Sequence, residues 1–306
     1  MEIFRDRLDE IIGSENVIEK EPLSAHTTFR VGGPADYYVY ASSETVLINL
    51  LTFLKEHNSP YYIIGNGSNL LVSDKGYNGV VIQLTGEFEL LHTSGTGLVA
   101  GSGVLLGRVA REACNEGLAG LEFAAGIPGT VGGAMVMNAG AYGGEMKDIV
   151  ESVRILWTDT MTVEAVSCED MQFGYRHSIL KERGGIVLAV KYKLEEGNTE
   201  EIGMRMKELN DKRRDKQPLE YPSAGSTFKR PEGYYAAALI EDCNLKGYSV
   251  GMAEVSTKHA GFIVNKGGAG AGEIKKLIDE VIDRVYKASG VRLEPEVIML
   301  GDFETT

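Results

Sequence analysis

The chain has 306 residues, which is enough to bury a sizeable core and to form two or three domains. Hydrophobic residues account for 43% and charged residues for 25%, values that are ordinary for a soluble globular protein. The formal net charge of −13 disfavours nucleic acid and anionic membranes as general partners. Three widely spaced cysteines predict reduced thiols in a cytoplasm, and five histidines without ligand spacing predict no metal site.

The first third of the chain alternates helical and strand patterns. Its charged, amphipathic start is unlike a signal peptide and predicts a helix with Ile3 on the inner face, ending near Gly13. Ser42 or Ser43 is expected to cap a second helix. Strands are predicted at 36–40, 61–64, 70–72 and 79–84. A small α/β unit is therefore expected to end near residue 85.

The middle of the chain predicts a β-rich block that ends at Gly197. It contains a helix over 105–116, stopped by Gly117. Strands are predicted at 98–100, 152–157, 162–166 and 186–194.

The last third predicts alternating helices and short strands. Helices are expected at 199–215, 234–242 and 273–287, and strands at 261–265 and 291–300. Six apolar residues at helical spacing in the final helix predict a core-facing stripe, namely Ile274, Leu277, Ile278, Val281, Ile282 and Val285.

Two glycine-rich stretches stand out. The first, Gly65-Asn-Gly-Ser-Asn69, predicts a turn between two strands. The second, Glu122–Gly144, has no charged residue after Glu122, and its glycines at 126, 129, 132 and 133 are expected to leave backbone N–H groups uncovered. Consecutive amides of this kind form concave sites that suit a phosphate or pyrophosphate. A tight structural loop is the alternative.

Neither stretch matches a common nucleotide-binding fingerprint. The first lacks the third glycine of a Rossmann unit and no helical pattern follows it, and neither ends in Gly-Lys-Ser/Thr as a P-loop does. The two turns therefore predict a binding site for a large cofactor, and this site contains no fixed basic residue.

A dense basic run interrupts the acidic chain near the end of the predicted helix 199–215. Lys212, Arg213, Arg214 and Lys216 could supply the local positive charge that an anionic ligand needs. A solvated helix end explains the run equally well.

Three short polar motifs could carry chemistry. Arg176 lies in Phe173-Gly-Tyr-Arg-His-Ser178, Ser226 lies in Ala224-Gly-Ser-Thr-Phe-Lys229, and Glu296 is expected to begin an apolar strand in Leu293-Glu-Pro-Glu-Val297. Taken singly, each has a structural reading, as a surface arginine, a loop serine or a strand residue. A Ser-His-Asp hydrolase is not supported, because no Gly-x-Ser-x-Gly elbow occurs.

Together these motifs resemble the UDP-N-acetylenolpyruvoylglucosamine reductase family, flavin enzymes of early peptidoglycan synthesis, over more than 250 residues. The matching stretches, in order, are Thr28-Phe-Arg-Val-Gly-Gly-Pro-Ala35, Gly65-Asn-Gly-Ser-Asn-Leu70, Ile127-Pro-Gly-Thr-Val-Gly-Gly133, Met137-Asn-Ala-Gly-Ala-Tyr-Gly143, Tyr175-Arg-His-Ser178, Ala224-Gly-Ser-Thr-Phe-Lys229 and Leu293-Glu-Pro-Glu296. The short link between the basic run and Ala224 resembles the shorter, second type of the family.

The resemblance implies an α+β, three-domain flavoprotein. The expected division is 1–85 with a C-terminal strand at 291–306, then 86–197, then 198–290. The first two domains would bind FAD, with a vanillyl-alcohol-oxidase-type fold, and the third would be a smaller α/β substrate domain. The protein is expected to be a cytoplasmic monomer without nucleic-acid or membrane partners.

The resemblance also implies roles for individual residues. The residues expected to contact FAD are Gly65, Asn66, Gly67, Ser68, Asn69, Leu70, Gly126, Ile127, Pro128, Gly129, Thr130, Gly132 and Gly133. Tyr175 is expected to bind substrate, and so are Arg213, Arg214 and Lys216, which are predicted from the charge of the basic run rather than from the resemblance. Arg176 would hold the substrate carboxylate, Glu296 would share a proton with it, and Ser226 would supply the final proton.

The implied reaction starts with reduction of FAD by NADPH. Hydride then passes to the methylene of the enolpyruvyl UDP-sugar, and the resulting enolate is protonated. Two other classes stay open at this point: a flavin oxidase or dehydrogenase acting on small alcohols, and a non-catalytic module that binds a flavin or a sugar nucleotide. The oxidase predicts oxygen consumption with an alcohol, whereas the binding module predicts no turnover of NADPH.

Overall fold

A computed structural model describes residues 2–303, with side chains from residue 4 onward. The inward side chain predicted for Ile3 and the last three residues of the predicted 291–306 segment lie outside this described part. The backbone forms two compact units. The first contains the chain up to Ile18, Tyr38–Gly65 and Val81–Lys212, and the second contains Glu19–Tyr37, Asn66–Val80 and the chain from Arg213 onward. The three-domain division stays a prediction.

The helices follow the predicted pattern closely, with two additional short ones, one in the glycine-rich segment and one at Leu180–Arg183. They are α1 (Glu2–Ile12), α2 (Glu44–Glu56), α3 (Leu106–Asn115), α4 (Val131–Met137), α5 (Leu180–Arg183), α6 (Thr199–Lys216), α7 (Ala236–Asp242) and α8 (Ala271–Ser289). Ser43 caps α2, since its hydroxyl accepts the N–H of Val46 at 3.3 Å.

The strands form several small sheets. In chain order they are β1 (Val17–Glu19), β2 (Ala35–Ala41), β3 (Tyr61–Ile64), β4 (Leu70–Val72), β5 (Tyr77–Leu84), β6 (Leu91–Ser94), β7 (Gly97–Gly101), β8 (Leu118–Ala119), β9 (Gly140–Ala141), β10 (Gly144–Glu145), β11 (Val150–Trp157), β12 (Thr162–Ser167), β13 (Gly185–Lys193), β14 (Glu195–Glu196), β15 (Ser249–Val250), β16 (Ala253–Val255), β17 (Ile263–Asn265) and β18 (Ile298–Leu300). A four-stranded sheet has the order β1-β2-β5-β3. This mixture of helices and strands confirms the α+β class.

The first unit is built on a five-stranded antiparallel sheet of order β12-β11-β13-β7-β6. Helix α4 packs on β13 and β7, so the middle of the glycine-rich segment lies against the sheet. Trp157 and Tyr192 are fully or almost fully buried in the core beneath. Packing of apolar surface from both layers stabilises this unit.

The second unit packs α8 on the antiparallel sheet β15-β16-β17. The whole predicted apolar stripe of α8 is buried, which confirms its assignment to the core. In the same unit β4 pairs in parallel with β18, with Leu70 opposite Ile298. This pairing fixes the turn that precedes β4 next to the segment that precedes β18.

Two predicted boundaries are wrong. The glycine-rich segment was expected to be turns throughout, but Val131–Met137 is helical because its apolar side chains find the sheet to pack on. The final strand starts at Ile298 rather than near residue 291, and Glu296 precedes it instead of beginning it. Pro295 cannot donate to a ladder, so regular pairing begins only after it.

Within residues 2–303, no helix combines the length and the apolar composition needed to cross a bilayer.

Candidate active site

The glycine-rich segment meets the end of β3 in the first unit. A Cβ on Gly65 would lie 2.4 Å from the Oγ1 of Thr130, so the Thr130 side chain leaves no room for a side chain at position 65. Thr130 is buried and caps α4 by accepting the N–H of Gly133. A cavity of about 120 Å³ opens here and is lined by Gly65, Thr130, Gly132 and Gly133, together with Ser102.

Ser102 is a site residue that the sequence analysis missed. Its hydroxyl is buried and has no hydrogen-bond partner among residues 2–303, although it borders the cavity. A buried hydroxyl left without a partner costs about 1–3 kcal/mol, so a ligand atom at this position would recover that cost. The sequence signal that could have found it is Gly101-Ser-Gly103, a serine between two glycines shortly before α3.

The amides of this segment are less open than predicted. The N–H of Gly132 donates to the carbonyl of Ser102 at 2.8 Å, and the N–H of Gly133 is directed at Thr130 Oγ1 at 3.4 Å. The prediction that these two amides are uncovered is therefore wrong, because α4 begins here. The amides of Gly126 and Gly129 donate to no acceptor within residues 2–303.

In the second unit, Gly67 and Ser68 of the first glycine turn keep their amide donors available. Gly67 is buried, and a Cβ on it would lie 2.0 Å from the carbonyl oxygen of His26. The amides of Gly67 and Ser68 have no acceptor within the described part of the chain. Thr28 donates its N–H to the Gly67 carbonyl at 3.3 Å, and its own Oγ1 is buried without a partner there.

These features fit FAD. Its pyrophosphate needs unused N–H donors, which are present at Gly67 and Ser68 in the first turn and at Gly126 and Gly129 in the second stretch. Its other polar groups need donors and acceptors that the protein leaves unused, and the hydroxyls of Ser102 and Thr28 are of that kind. Both turns are therefore suited to a large polar cofactor, each by its own geometry.

Arg176 lies at the tip of a tight turn in the first unit. Gly174 and His177 exchange backbone hydrogen bonds of 3.1 and 3.2 Å, which leaves Tyr175 and Arg176 as the two central residues. Arg176 has φ 54°, a left-handed conformation that glycine normally takes at this position of a turn. A residue held in such a conformation costs of order 1–3 kcal/mol and occurs preferentially at functional sites.

Glu145 is the acidic neighbour of Arg176. Its carboxylate forms an ion pair of 3.0 Å with Lys147 and accepts a hydrogen bond of 2.8 Å from the amide of Asn138. The bond with Lys147 first, then that with Asn138 and the charge of Arg176, hold the pKa of Glu145 below its usual value. The carboxylate therefore stays charged beside the turn at neutral pH.

In the second unit, Ser226 and Glu296 are brought together by backbone pairing. The N–H of Glu296 donates to the carbonyl of Thr227 at 2.7 Å, and the N–H of Lys229 donates to the carbonyl of Glu294 at 2.8 Å. Ser226 is exposed, and its hydroxyl has no partner within residues 2–303. Glu296 is half-buried. The two predicted catalytic side chains thus belong to adjacent, paired segments.

Thr227 is the centre of this arrangement and was not predicted. It is fully buried, its N–H donates to the carbonyl of Gly261 at 2.8 Å, and its Oγ1 accepts the N–H of Ile263 at 3.1 Å. Thr227 therefore links its own segment, next to Ser226, to two others: the segment of Gly261 and Ile263 and the segment of Glu296. Sequence gave no signal, because a threonine in a polar loop is common.

The first glycine turn also contacts Glu296 within the second unit. The Nδ2 of Asn69 donates to the carbonyl of Glu296 at 3.1 Å, and the N–H of Ile298 donates to the carbonyl of Asn69 at 2.9 Å. A predicted cofactor residue and a predicted catalytic residue are therefore held in fixed register.

The predicted basic cluster lies at the end of α6. Lys212 forms an ion pair with Glu208, and the carbonyl of Arg214 accepts a hydrogen bond of 2.6 Å from the Nζ of Lys258. Arg214 and Lys216 are exposed, and Arg213 is half-buried. Lys258 caps a carbonyl at the helix end, so the basic run has a structural explanation, and its substrate role stays a prediction.

Comparisons with known proteins identify the family. Residues 35–165 match an FAD binding domain, and residues 217–300 match the C-terminal domain of UDP-N-acetylenolpyruvoylglucosamine reductase. A reductase of this name from Caldanaerobacter subterraneus is 49% identical over 301 residues, covering 98% of this chain and 99% of the relative. Another, from Clostridioides difficile, is 49% identical over 292 residues, covering 95% and 96%.

A solved structure gives the same result for the fold. The UDP-N-acetylenolpyruvylglucosamine reductase of Thermus caldophilus superposes with a TM-score of 0.80 at 40% identity, covering 92% of this chain and 98% of that one. The chain belongs to the UDP-N-acetylenolpyruvoylglucosamine reductase family.

Proposed function

We infer that this chain is an FAD-dependent oxidoreductase that reduces UDP-N-acetyl-3-O-(1-carboxyvinyl)-glucosamine to UDP-N-acetylmuramate with NADPH. This step supplies a peptidoglycan precursor, and we place it in the cytoplasm. The observation that carries the proposal is the pairing that sets Ser226 beside Glu296, with Asn69 of a cofactor turn bonded to that same glutamate. Membership of the reductase family supports the substrate assignment.

When bound, FAD supplies the hydride chemistry between NADPH and the enol-ether methylene. Gly65, Thr130 and the amides of Gly67 and Ser68 would hold this cofactor, with the hydroxyls of Ser102 and Thr28 as further contacts. The unused amide donors favour a cofactor with a pyrophosphate.

Ser226 is the proposed proton donor. Hydride addition to the methylene leaves negative charge delocalised between the adjacent carbon and the carboxylate, and protonation of that carbon completes the reduction. The hydroxyl of Ser226 is exposed and unbonded within residues 2–303, so its proton is available to a substrate atom. An enolate is basic enough to accept a proton from a hydroxyl.

Arg176 and Glu296 are the proposed groups that act on the substrate carboxylate. A guanidinium can bind the carboxylate and stabilise the charge that grows on it during hydride transfer. Glu296 would share a proton with the same group. Tyr175, with its ring exposed beside Arg176, would contact the substrate, and Arg213, Arg214 and Lys216 would contact its diphosphate. We propose that the enzyme acts as a monomer.

A direct test adds the enolpyruvyl UDP-sugar to the purified, FAD-loaded protein with NADPH and follows the nicotinamide absorbance. We expect loss of absorbance that requires the enolpyruvyl sugar, and UDP-N-acetylglucosamine is the matched control because it lacks the group to be reduced. Oxygen consumption with a small alcohol would indicate a flavin oxidase instead. Absence of NADPH turnover with FAD bound would indicate a binding module.

A further inference from the structure

Asn138 ends helix α4 in an unusual state for a polar residue. It is 1% exposed, and its backbone is left-handed, with φ 41° and ψ 57°. Asparagine tolerates this conformation at a helix end better than most residues, but glycine takes it at no steric cost. A buried side chain is therefore present where the backbone alone would favour glycine, which indicates that the contacts of this side chain are needed.

The amide of Asn138 uses its bonding capacity on two neighbouring segments. Its Nδ2 donates to the carbonyl of Gly174 at 3.0 Å and to the carboxylate of Glu145 at 2.8 Å. Its Oδ1 accepts the N–H of Lys147 at 3.0 Å. Both N–H donors and the oxygen are thus engaged, as expected for a buried amide.

One of these bonds supports the turn that carries Arg176. The carbonyl of Gly174 closes that turn by accepting the N–H of His177, and Asn138 is its second donor. Because Arg176 is held at φ 54°, the turn needs support from its surroundings to keep that conformation. The amide of Asn138 supplies support from inside the core.

The second bond acts on the charge beside Arg176. The Nδ2 of Asn138 fixes the carboxylate of Glu145, whose charge interacts with the guanidinium of Arg176. A carboxylate fixed near the guanidinium favours positions of Arg176 close to it, and a restricted guanidinium suits recognition of a substrate carboxylate. Asn138 therefore supports the backbone of the turn directly and fixes a charge near the side chain of Arg176.

We propose that Asn138 is a positioning residue for Arg176: its buried amide holds the Gly174–His177 turn and the Glu145 carboxylate so that the guanidinium is ready for a substrate carboxylate. The inference rests on the proposed function, in which Arg176 receives that group. It adds that the end of α4, the helix whose first turn borders the cofactor cavity, sets the position of the substrate arginine in the same unit.

The test replaces Asn138 by Gly, which keeps the left-handed backbone and removes the amide. Asn138→Asp is the second variant. It keeps the size of the side chain but places a carboxylate oxygen, instead of the amide N–H group, opposite the oxygens of Gly174 and Glu145. In the FAD-loaded enzyme we expect both to slow reoxidation of the flavin by the enolpyruvyl sugar by at least about 10-fold. Binding of the same sugar should weaken, whereas binding of UDP-N-acetylglucosamine, which has no carboxylate, should not change.

Asn58 provides the matched control, since it also follows a helix with φ 49° but is exposed. Asn58→Gly should leave both affinities unchanged. FAD content and reduction of the flavin by NADPH should stay normal in the Asn138 variants, because neither needs Arg176. Loss of these properties in both variants would overturn the proposal, since Asn138 would then support the fold in general. Unchanged affinity for the enolpyruvyl sugar would overturn it as well.

Arg176→Ala separates this inference from the proposed function. If Arg176→Ala selectively weakens the enolpyruvyl sugar and Asn138→Gly does not, only the role of Asn138 fails. If Arg176→Ala itself leaves the preference for the carboxylate unchanged, the assignment of Arg176 in the proposed function fails.

Discussion

Two candidate catalytic regions, one in each unit, receive different kinds of support from their surroundings. The turn that carries Arg176 depends on the side chain of Asn138, whereas Ser226 and Glu296 are held by backbone bonds that meet at Thr227. Backbone groups are present whatever the side chain, so the second arrangement resists substitution at most positions. The first can be disturbed by changing one amide. The difference indicates that the orientation of Arg176 is more sensitive to a single side-chain substitution than the pairing of the Ser226 and Glu296 segments.

The largest effect is expected for the proton donor itself. Ser226→Ala should leave reduction of FAD by NADPH nearly intact, because that half-reaction needs no proton from the serine. Reoxidation by the enolpyruvyl sugar should slow by roughly 10²–10⁴-fold, the usual contribution of a positioned proton donor. Stopped-flow traces of the two half-reactions measure this, and Ser226→Cys should retain part of the rate. Equal slowing of both halves would show that the serine shapes the pocket and that another group is the acid.

A smaller effect is expected at Arg176. Arg176→Ala should lower both kcat and the affinity for the enolpyruvyl sugar, because the charge that Arg176 meets grows during hydride transfer. Hydrogen bonds to charged groups are worth about 1.5–3 kcal/mol, which corresponds to roughly 10- to 100-fold. Steady-state kinetics with Arg176→Lys as control test the need for a planar, two-pronged donor. A change in KM alone would indicate a binding role without catalysis.

Substitution of Thr227 tests how much its hydroxyl stabilises the paired segments that carry Ser226 and Glu296. Thr227→Val keeps the shape but leaves the buried N–H of Ile263 without an acceptor, which should lower the free energy of unfolding by about 1–3 kcal/mol. Thr227→Ser restores the hydroxyl and should recover most of the loss in urea unfolding. Equal stability of Thr227→Val and the unaltered protein would mean that the hydroxyl is not needed to hold the paired segments together.

The basic run should matter less, because its residues are mostly exposed. Changing Arg213 and Arg214 together to Ala should raise the KM for the sugar nucleotide about 2- to 5-fold and weaken its salt dependence. Arg205→Ala is the matched control, since Arg205 lies on the same helix and is paired with Glu208. An unchanged KM and salt response would assign the run to a solvated helix end.

The smallest effect concerns His259, which supports the loop next to Thr227 by accepting the N–H of Gly261 at 3.1 Å. Burial, with Lys246 nearby, lowers the pKa of His259, and the charge of Glu241 opposes this. The unfolded chain therefore binds the proton first, and stability should fall as the pH drops below about 6.5 towards the lower folded pKa. His259→Gln should make this acid loss shallower in urea unfolding. An identical pH dependence would remove His259 from the acid response.

Much of the local structure was predictable, because it follows from short-range patterns. The stripe of α8, the cap at Ser43 and the turn at Gly65–Asn69 were all predicted from spacing and residue type, and all are confirmed. Helix α4 was not, because its seven residues are rich in glycine and the sheet decides their conformation. Residue roles inferred from the family resemblance, including those of Arg176, Ser226 and Glu296, stay predictions.

The sequence by itself determined the class of fold, the approximate bounds of most of the longer helices and strands, and the motifs that identify the family. Only the tertiary structure decided that Glu296 pairs with Thr227, that Ser102 keeps an unused hydroxyl at the cavity, and that Asn138 supports the turn of Arg176. The physical reason is the separation along the sequence over which each kind of interaction acts. Propensity, capping and apolar spacing act between residues a few positions apart, whereas these contacts join residues 36 to 69 positions apart or depend on burial by distant segments.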